Sequence, residues 1–387
     1  MLINILRNKL KKLWLISFTD KPYKIRKFDD LFVLPVGEPV DTPECLSTVL
    51  SKENGGTVFY SPLNAPVSSN IKCRYIGKSE RFKVSGIFKE PDRTIYSLSN
   101  ACLLGSLGLI YDKERRSYID ESAKEWLINL KNSAYTNLIY FPPKIKLKGI
   151  TISCLTNGAD FGFYHFLFES LVKIHLYKSI IKNIDYILFN GPGTEWKLKW
   201  IKRTNIDINK IIWVGNSDHY ECEQLLFTNK LINDQQINHW CVKSLKELLK
   251  IASDTIIPLN SHHIIWISRK GLKVREIEWE DELLSFFPSI ERVDLSLLDD
   301  VQTINKMQAA SHVIGPHGAG LSNVYLCSPG TKVLEIYPNG SPFQPCYFRL
   351  SSICNLQYSV KYVDFKNKEN KETGLPAFKD LLTKFIC

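Results

Sequence analysis

The chain has 387 residues, of which 44% are hydrophobic and 23% charged, so it can bury full cores and fits two domains of ordinary size. Lys and Arg total 50 against 40 for Asp and Glu, and the resulting net charge of +10 attracts anions in general. The basic residues are dispersed and form no recognised nucleic-acid motif, which disfavours a nucleic-acid partner.

Residues 1–18 are basic and apolar, but their uninterrupted apolar run covers only residues 13–18. A membrane span needs about 20 such residues. As a helix, this segment could lie on an anionic membrane with Trp14 and the leucines buried, and an ordinary docking helix is the equal alternative. Ten scattered cysteines without C-x-x-C spacing, and no signal-peptide pattern, predict a cytoplasmic location, at the inner face of the membrane if residues 1–18 lie on it.

Residues 19–145 are rich in Pro, Gly and short apolar runs. We expect short strands and loops there, with a helix near residues 121–130, as an irregular N-terminal extension.

From about residue 149 the pattern alternates between strands and helices, and it restarts near residue 263. Strands are predicted over 149–155, 185–189, 210–214, 226–228, 263–267, 291–295, 313–315 and 332–336, and helices over 164–181, 196–203, 238–251, 278–286 and 298–310. Such alternation predicts parallel sheets with helices on both faces. The fold class is therefore α/β, with two Rossmann-like domains over residues 19–255 and 256–387 that face a central cleft.

A loop of sequence G-P-H-G-A-G follows the strand at 313–315 and leads into a short predicted helix. Glycine lets a backbone approach a ligand closely, and a helix start presents N–H groups suited to a diphosphate. His317 could donate a hydrogen bond to a phosphate oxygen. The alternative is a tight turn that needs glycine, with His317 incidental.

Arg269 follows the first strand of the second predicted domain, and Arg275 lies six residues further on. A planar guanidinium at a strand end suits bidentate phosphate binding, although an exposed loop arginine is common.

His165 and Glu169 are four residues apart and share one face of the helix predicted after the strand at 149–155. The carboxylate could act as a general base on an acceptor hydroxyl, or it could orient His165 as that base. Helical His–Glu pairs are more often structural.

Three stretches in this order resemble glycosyltransferase family 61, including its bacterial capsular polysaccharide biosynthesis members. They are Y-H-x-x-x-E at 164–169, S-R at 268–269 with Arg275, and G-P-H-G-A-G-L-S-N at 315–323, followed by E-I-Y-P at 335–338. One departure is D-F-G-F at 160–163, where family members often carry Asn before the aromatic pair.

The resemblance implies a GT-B fold and an inverting, metal-independent transfer of a hexosyl or pentosyl group from a nucleotide-sugar, commonly a UDP-sugar. The acceptor would be a glycan or lipid-linked glycan in surface polysaccharide (capsule or lipopolysaccharide) synthesis. Glu169 is then the preferred base and His165 the second choice. The implied donor-binding residues are Arg269, Arg275, His317, Gly318, Ala319, Gly320, Leu321 and Glu335.

Glu335 could accept from ribose or sugar hydroxyls, and a structural acid is equally plausible. No cofactor is expected, and no metal either, since the sequence has no D-x-D pair of the kind that many metal-dependent transferases use. Two rival functions remain: a UDP-sugar epimerase of the same fold, and a non-catalytic module that binds sugar nucleotides or glycans.

Overall fold

A computed structural model describes residues 24–26, 57–61, 74–75, 93–112, 117–119, 141–232, 237–251, 263–272, 274–341 and 344–386. The helices predicted at 1–18 and near 121–130 lie outside the described residues. The chain divides into two compact units, residues 1–65 with 90–234 and residues 66–89 with 235–387. The predicted domain division after residue 255 falls within 252–262, which is also outside the described residues, and it stays a prediction.

Strands and helices are numbered here along the chain. The strands are β1 Lys24–Arg26, β2 Thr57–Ser61, β3 Arg74–Tyr75, β4 Arg93–Leu104, β5 Leu109–Asp112, β6 Ser117–Ile119, β7 Ile145–Ser153, β8 Tyr186–Asn190, β9 Ile211–Val214, β10 His219–Thr228, β11 Ile264–Ile267, β12 Ile290–Val293, β13 His312–Pro316, β14 Lys332–Pro338 and β15 Gln357–Val363. The α-helices are α1 Phe163–His165, α2 Lys173–Leu176, α3 Glu195–Lys202, α4 His239–Leu248, α5 Glu280–Ser285, α6 Asp300–Ala309, α7 Cys346–Ile353 and α8 Leu375–Ile386. A π-helical turn, Phe166–Leu171, joins α1 to α2, and a 3₁₀ helix, Ala319–Leu326, follows β13.

The sheet of the first unit is mixed, with strand order β1-β6-β5-β4-β10-β7-β8-β9 and β2 also paired to β4. Strands β10, β7, β8 and β9 run parallel, as the alternating pattern predicts. The expectation of a wholly parallel sheet was wrong, because β4 is antiparallel to β10, β5 and β2. Its twelve residues lie in the region where we expected only short strands, and they pair on both sides.

The second unit holds a fully parallel sheet of order β12-β11-β13-β14-β15-β3 among the residues described. All four residues of β11 are buried, as its continuous apolar sequence predicts for a strand covered on both faces. The chain passes from β11 to β12 on one side of it, and then crosses to β13 on its other side. This is the switch point at which open α/β sheets bind ligands, outside the carboxyl ends of the strands.

Apolar side chains of β11, β13 and β14 pack with those of α5 and α8 to form the core of the second unit. This packing holds β11 and β13 in place, and the segments that follow them carry Arg269 and His317.

Most predicted elements of both α/β regions are confirmed within a few residues, and two differ more. The predicted strand at 226–228 is the end of β10, which begins seven residues earlier. The predicted helix at 164–181 ends with α2 and contains the π-helical turn. The chain is therefore a mixed α/β protein with two sheets and eight α-helices among the residues described.

Candidate functional site

The first group of candidate residues lies just after β7. The Nδ1 atom of His165 lies 2.8 Å from the Oε1 atom of Glu169, so the predicted pair is in contact. The other carboxylate oxygen, Oε2, accepts a hydrogen bond from the Thr156 hydroxyl at 3.4 Å. The imidazole side chain is 19% exposed and the carboxylate side chain 7%, so the imidazole is the more accessible member of the pair.

The backbone around His165 and Glu169 has two unusual features that position their side chains. Glu169 lies in the π-helical turn, where the Val172 N–H donates to the Leu167 carbonyl, five residues back. Such turns inside helices are frequent at functional sites. Gly158 has φ +82°, and a Cβ added to it would lie 2.9 Å from the His165 ring. Glycine at this position therefore lets the loop close against the imidazole.

Two residues that the sequence analysis missed support the segment around Thr156, next to the His165–Glu169 pair. The Asn190 side chain, at the end of β8, accepts from the Thr156 N–H at 3.0 Å and donates to the Thr156 carbonyl at 2.9 Å. Lys197 is fully buried and donates to the Asn190 carbonyl at 2.8 Å. Burial lowers the pKa of Lys197 to about 8, against the opposing effect of the Asp160 charge. The detectable signal was a lysine on the apolar face of a short helix.

The second group of candidate residues lies at the switch point of the second unit. Arg269 follows β11, and its guanidinium donates to the Val274 carbonyl at 3.1 Å through Nη2. A Cβ on Gly318 would lie 2.2 Å from Nη1 of Arg269, so the guanidinium occupies the space that glycine leaves. Burial lowers the pKa of Arg269, and the nearby Arg275 charge lowers it further. Two neighbouring arginines, one partly desolvated, suit an anion.

Arg275 has φ +61°, a left-handed conformation that is uncommon for a residue other than glycine. Such conformations are held by their surroundings and cluster at functional sites. Arg275 also acts electrostatically on Tyr347, whose pKa burial raises. The structure thus brings Arg275 close to Arg269.

His317 lies in a buried polar network. Its Nδ1 atom contacts Oε1 of Glu335, and the other Glu335 oxygen accepts from the Tyr358 hydroxyl. Its Nε2 atom lies 3.0 Å from Oε1 of Gln344, and its ring stacks on Tyr337 with centroids 4.6 Å apart. Both ring nitrogens of His317 and both oxygens of Glu335 therefore have protein partners in this arrangement, and their predicted contacts with the donor stay predictions.

The glycine loop packs tightly on β11. Cβ atoms on Gly315 and Gly320 would lie 3.1 and 2.8 Å from side-chain carbons of Ile267. The 3₁₀ helix begins directly after Gly318, and the Leu321 N–H donates to the Gly318 carbonyl. The backbone N–H groups of Ala319 and Gly320 open this helix, beside the Arg269 guanidinium.

The candidate residues thus form separate groups within their own units: His165 with Glu169, Arg269 with Arg275 and Gly318, and His317 with Glu335. In the described part of the chain, no helix is long and apolar enough to cross a membrane. Across the same residues, no group of three or more His, Cys, Asp or Glu side chains could hold a metal ion. The expectation that no metal takes part stays a prediction.

Comparison with known proteins gives one family. The family model described as Glycosyltransferase 61 matches residues 163–334, which contain all but one of the candidate residues and support assignment to that family. The exception, Glu335, is the next residue after the match.

No curated protein matches the chain. Among solved structures, a metal-free serine-to-alanine mutant of a periplasmic metal-binding protein from Candidatus Liberibacter asiaticus is 14% identical, with a TM-score of 0.15. That alignment covers 62% of this chain and 97% of the other. The TM-score is too low to indicate a shared fold.

Proposed function

We propose that this chain is a glycosyltransferase that moves a hexosyl or pentosyl group from a nucleotide-sugar to a glycan acceptor. The family match supports a transferase in general. The observation that carries the proposal is the arrangement at the switch point, where the Arg269 guanidinium fills the space above Gly318 beside the start of the 3₁₀ helix.

This arrangement suits the diphosphate of the donor. Transfer leaves negative charge on the departing nucleoside diphosphate. Hydrogen-bond donors that are already positioned around its phosphate oxygens therefore lower the barrier. Arg269 can offer two N–H groups to one phosphate, and Arg275 adds a second positive charge. The N–H groups of Ala319 and Gly320 add the positive end of a helix. In this proposal His317 and Glu335 hold the loop in shape.

The His165–Glu169 pair supports the acceptor half of the reaction. An inverting displacement needs one base near the acceptor hydroxyl. Glu169 was the preferred base from sequence, but its burial and its contact with Nδ1 of His165 favour an orienting role. We therefore propose His165 as the base, oriented and charge-stabilised by Glu169.

The finer parts of the assignment are proposals that rest on the family resemblance. They are a UDP-sugar donor, inversion, metal independence, a GT-B arrangement and a role in surface polysaccharide synthesis at the inner face of the membrane, with contact through residues 1–18.

Calorimetric titration tests the donor site. Wild type and Arg269→Ala are titrated with UDP, GDP and CMP in the presence of EDTA, and Lys368→Ala serves as the control. Lys368 is an exposed cation of the same unit that pairs with Glu282. We expect one nucleotide to bind wild type and Lys368→Ala equally, and to bind Arg269→Ala at least about tenfold more weakly.

If no nucleotide binds wild type, even after manganese is added, the donor site is wrong. If a nucleotide binds but donor alone is converted to an isomer, the epimerase alternative replaces transfer. If a nucleotide binds but no combination of nucleotide-sugar and acceptor is turned over, the alternative of a non-catalytic binding module is favoured.

A further inference from the structure

Four aromatic side chains are accessible to solvent at the carboxyl end of the parallel strands in the first unit. Phe161 is 78% exposed, in the loop after β7. Phe163, Trp196 and Trp213 are each partly exposed, at the starts of α1 and α3 and in β9. We call these four residues the aromatic platform. Large apolar side chains that cluster on a protein surface often mark a binding site.

The structure builds this group with specific packing. Phe163 and Trp196 meet edge to face with centroids 5.7 Å apart, and Trp196 also packs edge to face on the buried Phe166 at 5.2 Å. A Cβ on Gly193 would lie 2.4 Å from the Trp213 indole, so only glycine at that position leaves room for the ring. Phe163, Trp196 and Trp213 are thus held by packing against their neighbours, while Phe161 projects into solvent beside them.

A buried cation lies among these rings. The Lys197 ammonium is 5.4 Å from the Trp196 ring centroid and 5.6 Å from that of Trp213. The same ammonium donates to the Pro192 carbonyl at 3.1 Å and interacts electrostatically with Asp160, next to Phe161. Lys197 therefore ties the loop after β8 to the loop after β7, and both loops border the platform.

The platform is continuous with the His165–Glu169 pair. The loop of residues 158–162 carries Phe161, and Cβ atoms on Gly158 and Gly162 would each lie 2.9 Å from the His165 ring. The turn that carries Phe161 therefore packs directly against the imidazole. A ligand lying on Phe161 would have its hydroxyls close to His165.

The geometry points to a pyranose-binding subsite on the aromatic platform, which holds the acceptor sugar through the apolar C–H face of its ring. A pyranose presents such a face together with a rim of hydroxyls, which fits flat aromatic rings with polar groups at their edge. Asp160 and His165 are those polar groups here. This inference rests on the proposed transferase function and specifies its acceptor as a pyranose.

Saturation-transfer NMR with methyl pyranosides tests the subsite without knowledge of the natural acceptor. The probes are the methyl β-glycosides of glucose, galactose and N-acetylglucosamine. The proteins are wild type, Phe161→Ala, Phe161→Trp and the control Leu297→Ala, since Leu297 is 80% exposed in the second unit. Both exposed positions can be changed without opening a core.

We expect saturation of ring C–H protons for at least one probe with wild type, Phe161→Trp and Leu297→Ala. Phe161→Ala should bind that probe roughly five- to tenfold more weakly, the order expected for the loss of one stacked ring. The subsite would be overturned if wild type transferred no saturation to any of the three probes, or if Phe161→Ala bound the probe as tightly as wild type.

Two parallel measurements separate this inference from its alternatives. Calorimetry with the nucleotide identified above should give the same affinity for Phe161→Ala as for wild type. If no nucleotide binds but the pyranoside does, the transferase proposal fails while the subsite stands. If wild type sediments with anionic phospholipid vesicles and Phe161→Ala does not, the platform contacts membrane and the pyranose assignment is overturned.

Discussion

The two His–carboxylate pairs among the candidate residues share one kind of contact but have different surroundings. In both, the Nδ1 atom of the histidine meets a glutamate oxygen. His165 and Glu169 are four residues apart, and the imidazole keeps 19% of its surface exposed. His317 directly follows β13 and Glu335 lies in the neighbouring strand β14, with 8% and 0% of their side chains exposed.

The difference indicates which pair is available for chemistry. A base must reach a substrate proton, so an accessible imidazole with a buried orienting carboxylate suits catalysis. A pair whose remaining atoms contact Tyr358 and Gln344 is occupied by the protein itself. From this difference in exposure we propose that the first pair takes part in the reaction and that the second supports the loop.

The largest effect is expected at the first pair. His165→Asn should lower turnover by roughly 10²- to 10⁴-fold, because the reaction loses its general base. Glu169→Gln should lower turnover less, because the imidazole remains. The measurement is release of nucleoside diphosphate in the presence of donor and acceptor. Full turnover by both variants would end the catalytic assignment.

The next effect is on stability at the second pair. Glu335→Gln should lower the free energy of unfolding by about 3 kcal/mol, because it disrupts a buried pair and its network. Tyr358→Phe removes only one hydrogen bond of that network and should cost about 1 kcal/mol. Urea denaturation measures both variants. If Glu335→Gln is as stable as wild type, Glu335 does not support the loop.

The smallest effect concerns Lys197, behind the first pair. Its folded pKa of about 8 is below the ordinary value of 10.5, so above pH 8 the folded state holds fewer protons than the unfolded state. The contribution of Lys197 to stability should therefore rise with pH, by roughly 1.5 kcal/mol between about pH 8 and about pH 9.5. Lys197→Met should lack this rise. Parallel stability curves for the two proteins would contradict the lowered pKa.

The sequence predicted the second unit better than the first, for a physical reason. Strands such as β11 are buried on both faces and read as continuous apolar runs. Strand β4 mixes polar residues with a short apolar run at its end, and its pairing with β10 depends on residues more than a hundred positions away. Local pattern reports the first kind of strand and not the second.

The candidate site shows the same limit. The glycine loop and Arg269 were found because each directly follows an apolar strand. The network of His317 with Tyr358 and Gln344 needs tertiary contacts that no spacing encodes. Asn190 was missed, because its amide contacts Thr156, 34 residues earlier in the chain.

We propose that the second unit binds the donor at the Arg269–Gly318 contact and that His165 acts as the base. Calorimetry would compare nucleoside diphosphate affinity among wild type, Gly318→Ala and His165→Asn. Gly318 has an extended backbone with φ 167°, so alanine there brings no backbone strain and acts by displacing the guanidinium. We predict roughly tenfold weaker binding for Gly318→Ala and unchanged binding for His165→Asn. Equal affinity for wild type and Gly318→Ala would contradict donor binding at the Arg269–Gly318 contact.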